Sequence, residues 1–151
     1  MHPRVQVIDF PFEAGEFTEE VRQIFPEIGQ AEALVGECSP ALDVYETDEA
    51  VEITVDLPGV DAEAVRIVVK GAAVLIAGKK APRRAQAGAS FHLVERGYGR
   101  FARTVRLTGV TAACDARRAR ATLEGGELRV RVPRVAERRG VAIPIVVAKT
   151  S

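Results

Sequence analysis

The sequence predicts an all-β fold, a two-sheet antiparallel β-sandwich, preceded by a short, partly helical arm and followed by a flexible extension. Three observations carry this. From Ser39-Pro40 onward, apolar and polar residues alternate with the period of two that a half-buried strand requires. The runs are short and are closed by turn residues: Pro58-Gly59, Gly71, Gly78 and Gly125-Gly126. Between them there is no segment fit to be the crossover that parallel neighbours need, so the strands pair mainly antiparallel and two packed sheets are the compact solution.

Each element follows in order. Residues 1–38 form the arm. It opens with Val5, Val7, Ile8, Phe10 and Phe12, then Phe17, after which Thr18-Glu19-Glu20-Val21 reads as a helix start with Thr18 as cap and acids in the first turn. Val21, Ile24, Phe25 and Ile28 form its apolar stripe, and Pro26 keeps it short or kinked. Four of the six phenylalanines lie in this arm; they serve either the chain's own core or as sticky surface for other chains.

Residues 39–134 form the β domain. Leu42 and Val44 alternate with Asp43 and Tyr45; Val51, Ile53, Val55 and Leu57 alternate with Glu52, Thr54 and Asp56. Asp61 to Ala64 is a turn or single helical turn. Val65, Ile67 and Val69 make a strand stopped by Gly71, and Val74-Leu75-Ile76 one stopped by Gly78. Residues 79–90 read as a mobile basic loop, and Phe91 to Arg96 as a short strand within a long excursion. Phe101, Arg103, Val105 and Leu107 share one face; Ala119, Ala121 and Leu123 share another. Gly125-Gly126 turns the last hairpin into Leu128, Val130 and Val132, closed by Pro133. Residues 135–151 are the extension.

Composition excludes several functions. No apolar run reaches the roughly 18 residues of a membrane span, and the N-terminus does not read as a secretory signal. Cys38 and Cys114 are far apart and read as buried or neutral thiols, which favours a cytoplasmic protein. The two histidines, His2 and His92, have no metal-ligand spacing around them. Phosphate-binding loops and nucleophile elbows are absent, so neither catalysis, metal nor cofactor is expected. Residues 1–65 carry net charge −14 and residues 66–151 carry +14. A basic half could meet nucleic acid, but its cations are scattered and stacking aromatics are few. Strands of the two halves lying side by side would offset each other's field.

Other features point to binding of protein chains. Ile143-Pro144-Ile145 places two isoleucines on one side of an extended segment that the proline pre-sets. It is either a two-knob plug on a tether or a last strand. Burying both knobs is worth roughly 3–6 kcal/mol before ordering costs. The excursion over 79–100 covers a sheet edge, either the chain's own or a neighbour's. Arg103, on an apolar face, wants an acid from the same or a neighbouring subunit; Glu95 is a candidate.

Taken in order, these features resemble the small heat-shock protein family, whose members share an alpha-crystallin domain. The resemblance rests on Leu42 to Thr47, the Leu57-Pro58-Gly59 turn, Phe91 through Arg103, the hairpin Ala121 to Leu128 with Val132-Pro133, and Ile143-Pro144-Ile145. It implies an immunoglobulin-like sandwich. Residues 88–99, with Phe91, Leu93, Glu95, Tyr98 and Arg103, would cross to a neighbour and form the dimer. The plug, Ile143 to Ile145, would dock on another dimer in a groove lined by Val74, Ile76, Ala119, Ala121 and Leu123. The arm, through Phe10, Phe12, Phe17, Ile24 and Phe25, would assist assembly and meet unfolding clients. The implied activity is ATP-independent holding by a large homo-oligomer that hands clients to ATP-driven chaperones. A co-chaperone or scaffold module with one dedicated partner is the rival; such modules usually lack the plug. The sequence departs from the family at Thr108, where proline is common, at Glu127 in the hairpin, and in its basic 79–90 loop.

Overall fold

The computed structural model describes residues 6–9, 17–27, 37–82, 84–107 and 114–135. Phe10, Phe12, Ile28 and the Ile143-Pro144-Ile145 motif lie outside them. Two four-stranded antiparallel sheets form the sandwich. The first, in spatial order, holds β1 (Gln6–Asp9), β6 (Gly99–Arg106), β5 (Ala73–Lys80) and β4 (Val65–Lys70). The second holds β2 (Leu42–Glu46), β3 (Ala50–Asp56), β8 (Glu127–Pro133) and β7 (Arg120–Glu124).

Strand alternation builds the core as expected. Val51, Ile53 and Val55 of β3, with Leu128, Val130 and Val132 of β8, turn inward from the second sheet. Val74, Ile76, Phe101 and Val105 meet them from the first. The charge asymmetry resolves in the same way. Acid-rich β3 pairs with basic β8, Glu52 lies opposite Arg131, and their side chains are hydrogen-bonded. Arg131 also reaches Glu49 at 3.2 Å.

The Gly125-Gly126 hairpin is formed as read. Both glycines have positive φ, 59° and 77°, which suits the two-residue turn that matches strand twist. Its tip is tied back to the Pro58-Gly59 turn by Leu57 N–H donating to Gly126 O at 2.7 Å.

Several expectations are corrected. Gly78 does not stop its strand; β5 runs through it to Lys80. The glycine serves close packing instead. A Cβ there would run into the carbonyl oxygen of Ala64 and lie 2.7 Å from Phe101 Cζ. Gly78→Ala is therefore expected to destabilise the domain by about 1–3 kcal/mol, by overpacking. Equilibrium urea denaturation measures this; an unchanged midpoint contradicts it.

Phe91 to Arg96 is not a strand within this chain; the segment lies outside every sheet. Thr18 is the first helical residue, not the cap, since Phe17 holds that position without a side-chain cap bond. The helix α1 (Thr18–Ile24) is short as expected. Phe25, preceding Pro26, leaves the helical region at φ −120° and ψ 70°. The arm's opening stretch contributes a strand, β1, in register with β6 from Gln6↔Arg106 to Asp9↔Arg103.

β5 is buried on both faces from Ala73 to Gly78. Its inner residues face the second sheet. Its outer residues, Ala73, Leu75 and Ala77, lie under α1 and form a second apolar cluster with Phe17, Val21 and Phe25. A continuous apolar run is the sequence mark of a strand covered on both sides.

Candidate protein-binding surfaces

The first surface is the loop between β5 and β6. Its described residues from Ala81 to Tyr98 are exposed throughout. Phe91 is 57% exposed, Leu93 73% and Tyr98 40%, with Val94 beside them. Large apolar side chains placed together in water mark an interaction site, because each forgoes the roughly 1.5–3 kcal/mol that full burial provides.

The loop has a firm root. Glu37 and Cys38 N–H both donate to Arg100 O, at 2.7 and 3.1 Å. The Glu37 carboxylate accepts from Arg100 N–H at 3.1 Å and lies the same distance from its guanidinium. Gly99, at φ 100°, passes so close to Glu37 that a Cβ would lie 2.6 Å from the carboxylate carbon. The exposed segment therefore projects from a fixed point.

Among the described residues the second sheet leaves β2 as an edge strand, paired with β3 on one side. An edge strand carries unpaired backbone donors and acceptors, a template for one more strand. The short segment before β2 is held by Arg103, whose Nη1 donates to Pro40 O at 2.6 Å. Glu95, the acid expected to meet Arg103, lies exposed in the loop.

The second surface lies along the edge strands β4 and β7. Val74 and Ile76, expected to line a receiving groove, are 0% and 1% exposed and belong to the core. Ala119 and Leu123 are half-buried against that core, and Ala121 is exposed. Val65, Ile67 and Val69 of β4, which the sequence does not single out for this surface, are half-buried against the same core. The 3-10 turn Ala116–Arg118 leading into β7 touches β4, which puts the two edges on one side of the sandwich. The alternation of Val65, Ile67 and Val69 marked a strand, but only the sheet order shows that it is an edge.

The third surface is the arm. Phe17, Val21 and Phe25 are buried and Ile24 is half-buried, so in this state these phenylalanines serve the chain's own core. The seat has a charged rim. Lys70 Nζ lies 2.6 Å from a Glu20 carboxylate oxygen and 5.5 Å from the centre of the Phe17 ring. The hydrogen bond from Lys70 holds the Glu20 carboxyl below the ordinary carboxylate range.

Neither cysteine is placed for chemistry. Both are free thiols, and burial pushes each above the ordinary range, away from the reactive thiolate. Among the described residues there is no cluster of side chains that could hold a metal ion and no helix long and apolar enough to cross a membrane. Among the described residues the geometry offers exposed apolar side chains and a sheet edge, features suited to contact with other chains.

Comparison with known proteins agrees. The Hsp20/alpha crystallin family model matches residues 43–146. Spore protein SP21 of Stigmatella aurantiaca is 33% identical over 95 residues, covering 63% of this chain and 54% of that protein. The 16.9 kDa class I heat shock protein 1 of Triticum aestivum is 33% identical over 115 residues, 75% of this chain and 74% of that one. The chain thus spans about half the length of the first relative and three quarters of the second. Among solved structures, heat shock protein 16.0 of Schizosaccharomyces pombe superposes with a TM-score of 0.59 at 31% identity, over 72% of this chain and all of that one. With its sandwich, its edge strands and this match over most of its length, the chain belongs to the Hsp20/alpha crystallin family.

Proposed function

We propose that this chain is an ATP-independent holding chaperone that binds non-native proteins and keeps them from aggregating. The observation that carries the reading is the exposed apolar loop over Phe91 to Tyr98, projecting from the domain whose second sheet ends in the open edge β2. Two copies can satisfy each other. The loop of one lies along β2 of its partner as a fifth strand, burying Phe91, Leu93 and Tyr98 and pairing the edge backbone. Glu95 then arrives from the neighbouring subunit rather than from its own.

Residues 39–134 act as the domain, 1–38 as the arm and 135–151 as the extension. Ile143 and Ile145 join dimers by docking between β4 and β7, against Ile67, Val69, Ala119 and Leu123. Many weak plugs within one assembly give strong but reversible association. The working form is a large homo-oligomer in the cytoplasm. It draws on binding energy alone and passes its clients to ATP-driven chaperones.

Mixed with a heat-unfolded enzyme and passed over a sizing column, the chain is expected to co-elute with that enzyme as one large species. Pelleted enzyme with the chain eluting alone would contradict the reading.

A further inference from the structure

The cluster beneath α1 is built as a seat. Its floor is flat because the outward residues of β5 and β6 are mostly small, Ala73, Ala77 and Ala102 around a single Leu75. Onto it α1 lowers Phe17, Val21 and Phe25, spaced i, i+4 and i+8, the stripe of one helical face. One acid, at i+3, reaches the rim cation Lys70.

The seat is also wider than its occupant. An open cleft of about 760 Å³ runs beside the helix, between Ile24 and Phe25 on one side and Val68 and Ala64 on the other, with the cations Arg66 and Lys79 and the acids Glu20, Glu27 and Glu63 along it. The uncovered part continues the apolar side of the covered part through Val68 and Ala64, but its rim is mixed in charge, so a preference for an acid rests on Lys70 and its pairing with Glu20.

We propose that the outer face of β4, β5 and β6 is a docking site for acidic amphipathic segments of non-native proteins, with α1 as its resident competitor. The client part of this statement rests on the holding function above; the seat and its occupant do not. An arm that binds in cis lowers the apparent affinity of any rival by the fraction of time the seat stands empty. Lys70 selects for an acid near the aromatic end of the incoming segment, and the alanine floor accepts large side chains without reshaping.

The test titrates the full-length chain into a fluorescein-labelled peptide of residues 16–27 and follows anisotropy. Val21→Glu, which unseats the arm, is expected to bind the peptide about tenfold or more tightly than the unaltered chain. Phe17→Ser provides the same comparison should Val21→Glu fail to fold by far-UV circular dichroism. Adding Lys70→Glu to the unseated chain is expected to weaken binding at least about fivefold, and a peptide carrying Glu20→Lys to restore it. Equal affinity for the unaltered and unseated chains, or no restoration by the swapped charge, overturns the proposal.

Client protection separates the two readings. Suppressed aggregation of a heated enzyme that neither unseating nor excess peptide alters removes the client clause and leaves holding intact. Peptide binding as expected without any suppression refutes holding and leaves the seat.

Discussion

Replacing Phe101 with alanine is expected to lower the stability of the domain by about 3–5 kcal/mol. Phe101 is fully buried at the centre of the main cluster, on β6, which is hydrogen-bonded on both sides. Its ring tip fills the space that Gly78 leaves open, and β5 and β6 pair at that point, Gly78↔Phe101. Truncation leaves a cavity between two sheets whose backbones are fixed by their ladders, so little of the loss is recovered by collapse. A domain of this size has only about 5–15 kcal/mol in hand. Urea denaturation with an unchanged slope and a much lower midpoint is the expected result. A loss under about 1 kcal/mol would show that the site collapses freely. Phe91 is the internal control. It is the same residue type ten positions earlier, but exposed, and its change to alanine is expected to shift the fold of one subunit by no more than about 0.5 kcal/mol.

Changing Ile143 and Ile145 together to glycine is expected to break the assembly down to dimers or small species. The two knobs supply roughly 3–6 kcal/mol of gross burial per plug. Tethering converts that modest gain into firm assembly, because each plug works at high effective concentration and the plugs act together. The same arithmetic makes the loss abrupt when every plug is weakened at once. Sedimentation velocity reads the outcome. An unchanged size distribution in the double variant would mean that the C-terminal motif is not the joint.

How far the sequence could be read depends on the scale of each cause. β3 and β8 were legible because their alternation is set by one buried face, a local matter of period two. The hairpin at Gly125-Gly126 was legible because only positive φ fits that turn. At Gly78 turn chemistry and close packing both ask for glycine, and only the meeting of β5 with Phe101 and Ala64 decides between them. Val74 and Ile76, which the resemblance puts on the groove, belong to a central strand, and nothing local in the sequence distinguishes a central strand from an edge strand. The same holds for Val65, Ile67 and Val69, whose strand is an edge. The run Val74-Leu75-Ile76 showed a strand but did not show what covers it. The cover came from the arm, whose phenylalanines were equally suited to a core or to a sticky surface. Phe91 to Arg96 carries the composition of a strand but joins neither sheet of the described residues, so there local preference and the single-chain fold disagree.

Holding by binding alone is read from the light scattering of a heat-labile enzyme warmed with this chain in the absence of ATP. Suppression of scattering that saturates near equimolar subunits is the predicted result. Scattering that rises as fast as it does without the chain would contradict the account.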